Sequence, residues 1–329
     1  MVAIAPFLVS SRCDLGLVGS SAVMEGLRET IRRVARSDRP VLVLGPTGSG
    51  KELVVRAIHA QGDHPQAPLV DVNCGAIPEP LIESFLFGHE RGAFTGATRR
   101  QDGALTQVGP GTLFLDEIAE LPLNLQTKLL RAIETRRFVP VGSAVVKQFQ
   151  GRIVAATHAS LQRRVAAHLF REDLFYRLDV LTVRVPPLAE RVEDIPALVE
   201  HFCAQQPRPL RLSSAAIALL CAVSWPGNVR QLRNVIDRLG VFSDGEVVTP
   251  EAVGPLLEDS EATERANDNG EVGLAALVEA VLRLPVENKL AAAMDAIVAH
   301  AMGVCGGNKS AAARLLGVHR KAIERRLRC

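Results

Sequence analysis

Between residues 45 and 52 the chain runs Gly45-Pro46-Thr47-Gly48-Ser49-Gly50-Lys51-Glu52, a spacing suited to holding phosphate. Glycines let successive backbone N–H groups turn inward as an anion cradle at a helix N-terminus, and a lysine at its end reaches the β- and γ-phosphates of a nucleotide. Glu52 stands where the generic motif carries the Ser or Thr that holds magnesium, which by itself weakens the match. A second segment, Thr112-Leu113-Phe114-Leu115-Asp116-Glu117, is an apolar run ending in two acids. Alone, such a pair is as readily a solvated helix start. Beside a phosphate loop, Asp116 would hold magnesium, directly or through water, and Glu117 would polarise an attacking water. The expected ligands are therefore ATP and Mg2+.

Phosphoryl transfer is catalysed mainly by positioning and charge neutralisation, so further cations are expected. Arg171 and Arg177 lie in Phe170–Leu178, and Arg230 follows Trp225-Pro226-Gly227-Asn228. From type and position alone, each is as readily a surface or salt-bridge residue. Another kind of contact is offered by Gly92-Ala93-Phe94-Thr95-Gly96-Ala97, where an exposed Phe between glycines suits a mobile apolar touch on a second protein. Near the C-terminus, Ala312, Leu315 and Leu316 line one apolar face, Gly317 permits a turn, and Ile323 and Leu327 repeat at helical spacing. The second helix of this pair carries Arg320, Lys321, Arg325, Arg326 and Arg328 against Glu324 alone, a charge density suited to DNA phosphates and the major groove. Asn308, Lys309, His319, Arg320, Lys321 and Arg325 are the candidate DNA contacts.

These groups need a scaffold. Short apolar runs at Val41–Leu44, Leu69–Val72, Thr112–Leu115, Ile153–Ala156 and Val180–Val185 alternate with helical patterns, as in a parallel sheet covered on both faces. After Pro186-Pro187 the pattern is helical only, over Val192–Gln205, Ser213–Val223 and Asn228–Phe242, with Ser213 and Asp194 near helix starts. Glu258–Glu271 is acidic, polar and almost without bulky apolar residues, so it reads as a linker. The expected division is an N-terminal extension (1–16), an α/β ATPase part (17–186), a small all-helical lid lobe (187–257), a linker (258–272) and a helical helix-turn-helix domain (273–329). Composition agrees: 47% of 329 residues are hydrophobic, enough for packed cores. The six cysteines form no C-x-x-C pair, which argues against a zinc site or a disulfide framework. No apolar run approaches the ~18 residues of a membrane span, so no membrane partner is expected and the reading is cytoplasmic.

The segment Glu83-Ser84-Phe85-Leu86-Phe87-Gly88-His89-Glu90-Arg91 leads into a complete GAFTGA at Gly92–Ala97. It closely resembles the signature of the AAA+ activators of the sigma-54 form of RNA polymerase, and the resemblance extends over about Leu17–Pro255. Phe85 departs from the usual Glu. The resemblance implies that Glu is ordinary at position 52 and that Asn73 restrains Glu117 until the ring is engaged. It implies that Thr157, followed by His158 where many relatives have Asn, ends the sensor strand. Arg171 and Arg177 would act across a subunit boundary, and Arg230 would couple nucleotide state to the lid. Fingers acting in trans imply a ring, usually a hexamer. In it, ATP binding and hydrolysis would raise and withdraw Phe94 and Thr95 to remodel the closed promoter complex. The tail resembles the Fis-type helix-turn-helix of these activators, which implies binding to upstream double-stranded DNA; the helix around Leu290–Val304 would dimerise. Family members often begin with a receiver or ligand-sensing domain, for which residues before Leu17 leave no room. Control would then lie with a separate regulatory protein or with a part lost from the chain. Two rivals remain: a regulator of this fold that works without sigma-54 or hydrolysis, and a general AAA+ remodeller.

Overall fold

The computed structural model describes residues 16–94, 96–208, 210–242, 247–257, 282, 288–305, 307–318, 320, 321 and 323. Thr95, His319, Arg325, the expected 258–272 linker and most of the 1–16 extension lie outside the described residues. Two compact units are present, Met1–Glu258 and Asp259–Cys329.

The strands of the first unit are β1 (Val41–Leu44), β2 (Leu69–Asn73), β3 (Gly88–His89), β4 (Gln101–Asp102), β5 (Thr112–Asp116), β6 (Arg137–Phe138), β7 (Lys147–Gln148), β8 (Arg152–Thr157), β9 (Leu181–Arg184), β10 (Arg211–Leu212) and β11 (Val247–Val248). Its helices are α1 (Ala22–Ala35), α2 (Lys51–Ala60), α3 (Glu79–Phe87), α4 (Ala104–Gln107), α5 (Leu123–Thr135), α6 (Leu161–Ala166), α7 (Glu172–Leu178), α8 (Ile195–Ala204), α9 (Ser214–Ala222) and α10 (Asn228–Phe242).

The principal sheet has the order β2-β5-β8-β1-β9, and every pairing in it is parallel. Alternation along each strand explains why the runs are apolar throughout. Leu42, Leu113, Leu115, Ile153 and Ala155 face one core with Ile82, Leu86, Leu129 and Leu174. Val41, Val43, Phe114, Val154, Ala156 and Val183 face the other with Met24, Ile31, Val54 and Ile58. Both faces are thus removed from water, as the sequence pattern requires.

The lid has its own core, in which Leu198, Phe202, Leu220, Trp225, Leu232 and Ile236 meet. Its helix α9 starts as expected, with the Ser213 hydroxyl accepting from the Ala216 amide. One expectation fails here: the lid is not wholly helical, because β10 and β11 pair in parallel. Asp194 stands at the start of α8 as expected, but its side chain caps no helix amide; its carboxylate accepts from the Ser20 and Ser21 amides and the Ser21 hydroxyl. A buried acid there ties the segment before α1 to the start of the lid.

In the second unit, helices Lys289–Val304 and Lys309–Leu315 are separated by a turn with Gly307 at φ 81°. Val298, Ala301, Ala312, Ala313 and Ile323 form its core.

Candidate nucleotide site, effector loop and DNA reader

The loop Gly45–Gly50 leaves the end of β1 and enters α2 at Lys51, so the phosphate motif sits between a strand and a helix as its chemistry needs. Gly48 (φ 75°) and Gly50 (φ 103°) hold left-handed backbone that an L side chain rarely adopts. Gly50 supplies no side-chain cap to α2, which leaves the first helical amides available to an anion. The Ser49 hydroxyl is buried in the loop without a hydrogen-bond partner. Lys51 is buried, and its ammonium donates to the carbonyls of Gly45 (3.1 Å) and Pro46 (3.4 Å). Burial pulls its pKa down, and the charges of Glu117 and Asp116 oppose that pull. A glycine loop leading into uncapped helix amides, with a buried cation at its mouth, fits a nucleoside polyphosphate.

The two acids enter from β5. Parallel pairing sets Asn73 of β2 level with Asp116. Burial, followed by the neighbouring Glu117 charge, raises the Asp116 pKa. Among the described residues no group of three or more His, Cys, Asp or Glu could hold a metal by itself. A magnesium ion at Asp116 would therefore have to complete its shell with phosphate oxygens and water, which is how this ion is ordinarily bound. Glu117 adopts φ 48°, ψ 50°, costly backbone for a residue with a Cβ. Its amide donates to Asp116 Oδ1 at 3.0 Å. Its carboxylate lies 3.8 Å from the Lys51 ammonium.

The partner of that carboxylate differs from expectation. The Asn73 amide donates to Asp116 Oδ2 at 3.4 Å, while its carbonyl oxygen accepts from the Gly75 and Ala76 amides. Glu117 Oε2 instead accepts from His158 Nδ1 at 2.8 Å. Facing a carboxylate, that nitrogen must carry the proton. Thr157 ends β8 as expected; it is fully buried and its hydroxyl accepts from the Ala159 amide, fixing the turn that presents His158. Glu52 also points elsewhere: it is exposed and ion-paired with Arg56.

Arg230 stands on α10 beside the loop, its amide donating to the Gly48 carbonyl. Arg171 and Arg177 bracket α7, both exposed. The Arg171 guanidinium is forked onto Asp173 at 2.7 and 3.0 Å. Neither arginine has a described contact with the chain's own Glu117. Two buried residues that sequence reasoning missed reach the loop from the lid side: Asn228, next to the predicted Arg230, and Arg191. Burial pulls the Arg191 pKa down, with Asp194 opposing. The signals in sequence were an Asn after Pro-Gly, a residue that tolerates left-handed backbone (φ 54° here), and an arginine just past the Pro-Pro break.

The effector loop spans β3 and β4, which pair as an antiparallel hairpin. Gly92 and Gly96 take φ 81° and 103°, and the Gly92 amide donates to the Ala97 carbonyl across the loop base. Phe94 is 41% exposed, with one edge against the buried His89 ring at 5.0 Å. His89 Nδ1 in turn lies 2.6 Å from the Ser84 hydroxyl. The loop between β6 and β7 braces this base: Val141 exchanges backbone bonds with Gly88 and Glu90, and Gly142 abuts Ala93.

In the second unit, Asn308 is spent on structure, its side chain accepting from the Ser310 and Ala311 amides. Lys309, Arg320 and Lys321 are exposed.

Comparison with known proteins gives three adjoining matches. Residues 17–184 match the sigma-54 interaction domain, residues 189–270 the AAA+ ATPase lid domain, and residues 296–328 the bacterial regulatory proteins of the Fis family. The chain is 40% identical over 333 residues to the DNA-binding transcriptional regulator NtrC of Azospirillum brasilense, covering 96% of this chain and 69% of that protein. It is 44% identical over 263 residues to the Nif-specific regulatory protein of Azotobacter vinelandii, covering 79% and 50%. The crystal structure of NtrX from Brucella abortus in complex with ATP superposes with a TM-score of 0.68 at 36% identity, covering 96% of this chain and 70% of that one.

Proposed function

Because the chain belongs to the sigma-54-dependent transcriptional activators, ATPases of the AAA+ fold with a Fis-type DNA-binding helix-turn-helix, we propose that hydrolysis at Lys51, Asp116 and Glu117 drives its Gly92–Ala97 loop against the sigma-54 polymerase. The observation that carries this reading is the chain of contacts from Lys51 to Glu117 to His158 beside the uncapped start of α2. The same α/β body bears an exposed Phe94 on a glycine-hinged hairpin.

In the proposed reaction the amides at the Gly48–Lys51 end of the loop and the Lys51 ammonium bind the phosphates, with Thr47 and Ser49 shaping the loop. When bound, magnesium would be held by Asp116 and would neutralise charge developing on the phosphate oxygens. Glu117 orients and polarises the attacking water, and His158 fixes the carboxylate that does so. Arg230 reports the nucleotide to the lid. Within one chain Lys51, Arg230 and Arg191 already lie at the phosphate loop. The exposed Arg171 and Arg177 have no described contact with Glu117 of their own chain, which supports their action in trans on the nucleotide of a neighbouring copy in a hexameric ring. The basic C-terminal pair, with Lys309 at the start of helix Lys309–Leu315 and Arg320 and Lys321 beyond the Gly317 turn, holds upstream double-stranded DNA and so concentrates the ring near the promoter.

Phe94 and Thr95 are the proposed polymerase contact, and Thr95→Ala tests it. In an open-complex assay on a sigma-54 promoter the variant should hydrolyse ATP at a rate near wild type and fail to open DNA. Equal activation by both proteins would remove the loop from the mechanism. A general remodelling ATPase, the rival reading, has no reason to lose this activity alone.

A further inference from the structure

Every carbonyl of the phosphate loop from Gly45 to Ser49 is occupied by a donor from the protein, and the donors divide by origin. Lys51 donates to the first two, Gly45 and Pro46, and the Ser49 amide also donates to Pro46. The next three are taken from the lid side. Asn228 Nδ2 donates to Thr47 O at 3.0 Å, the Arg230 amide to Gly48 O at 3.2 Å, and Arg191 Nη2 to Ser49 O at 3.0 Å. The Thr47 and Ser49 carbonyls, pinned from the lid side, belong to the peptides whose amides are those of Gly48 and Gly50, so the clamp orients two of the donors an anion cradle needs.

The clamp is built, not incidental. Asn228 is 3% exposed and Arg191 4%. Asn228 holds left-handed backbone at φ 54°, and its Oδ1 also accepts from the Leu188 amide at 2.9 Å. One side chain therefore ties the phosphate loop to the strand-to-lid crossover and to the first turn of α10. The fit leaves no slack, since a Cβ on Gly48 would lie 2.3 Å from the Gly227 carbonyl. Arg191 also reaches the α1 side, its Nη1 lying 2.9 Å from Met24 Sδ.

We infer that Asn228 and Arg191 are positioning residues that make the shape of the phosphate loop depend on the seating of the lid. This coupling runs through the loop carbonyls and is separate from any contact of the Arg230 side chain with nucleotide. The inference rests on Gly45–Lys51 being the nucleotide cradle. By linkage, whatever factor lid seating adds to nucleotide affinity, nucleotide adds to lid seating.

Asn228→Asp is the discriminating change. It keeps the oxygen that accepts from Leu188 but replaces the donor to Thr47 O by a second acceptor. A cradle lost in this way weakens binding of ground state and transition state together, so KM for ATP should rise roughly tenfold with kcat held within about threefold. Arg191→Lys, which loses the planar fork, should shift KM in the same direction. Amide hydrogen exchange supplies a readout that loss of stability alone would not move: ATP should protect the start of α10 in wild type and not in Asn228→Asp. Lys51→Ala is measured alongside, by anisotropy of a fluorescent ATP analogue. If Lys51→Ala binds the analogue as wild type does, the cradle assignment itself fails. If Lys51→Ala does not bind, yet both lid-side variants keep the wild-type KM and the α10 protection, the clamp alone is overturned. Should Asn228→Asp not fold, as judged by its melting curve, Arg191→Lys decides by the same criteria.

Discussion

Removing the His158 imidazole should cost the enzyme turnover and not affinity. The bond from His158 Nδ1 to Glu117 Oε2 measures 2.8 Å and has a charged acceptor, a class worth about 1.5–3 kcal/mol when shielded from water. The histidine is 49% exposed and the glutamate 21%, so solvent competes, and about 1–1.5 kcal/mol is the reasonable share. Expressed on the barrier, that is roughly a five- to twelvefold fall in kcat. Its sign follows from geometry: with Oε2 held by His158, Oε1 faces the Lys51 ammonium, toward the phosphates. Bound phosphate draws Lys51 toward itself, and His158 is then left to orient the carboxylate. In a steady-state ATPase assay, His158→Ala should show this loss with KM changed less than about twofold, and His158→Asn should recover most of it because its amide carries a donor near the Nδ1 position. A faster His158→Ala enzyme would mean that the bond restrains Glu117 from reacting, and an unchanged one that it does nothing. Either result refutes the reasoning.

Two further changes test strain and packing. Glu117 sits at φ 48°. Ala there pays about 1–2 kcal/mol of left-handed strain, whereas Gly escapes it but loses roughly 0.5–1 kcal/mol to chain entropy. Both variants should bind ATP without hydrolysing it, and Glu117→Gly should melt about 1–3 °C above Glu117→Ala; the reverse order would contradict the strained backbone. Gly142 lies against the effector loop at φ 73°, and a Cβ there would meet Ala93 Cβ at 2.7 Å. Gly142→Ala should therefore lower open-complex formation several-fold while ATP hydrolysis stays near wild type, and loss of both activities in parallel would show that the contact supports the whole body.

What the sequence made legible was local. The phosphate loop needs a strand before it and a helix after it, and apolar runs bounded by Gly and Pro were enough to place β1 and α2 around Gly45–Lys51. The same logic put Asp116 and Glu117 at the end of β5, because an apolar run that must be buried on both faces ends where its charges begin. The expected run 69–72 stops one residue short of the observed β2, and 153–156 omits one residue at each end of β8. The lacking residues are polar ones whose backbones still pair, a contribution that hydropathy does not register.

What was illegible were choices between partners. Whether Asn73 or His158 holds Glu117 depends on side-chain directions set by the Asn73 carbonyl, which is committed to the Gly75 and Ala76 amides, and by the Thr157 hydroxyl, which fixes the turn before Ala159. Neither commitment leaves a trace in spacing. Asp194 is legible only as a residue near a helix start, and nothing in the spacing shows that Ser20 and Ser21, more than 170 residues earlier, present two amides and a hydroxyl to it. Asn228 meets Thr47 across 181 residues. Such pairs are invisible to periodicity because periodicity reports which face of an element is buried, not which buried polar group will need an answer. A buried carbonyl row must be answered somewhere, so a phosphate loop read in sequence already implies outward donors. In this chain the Thr47, Gly48 and Ser49 carbonyls are answered from the lid side, and on the proposed clamp the grip on nucleotide depends on that part being placed.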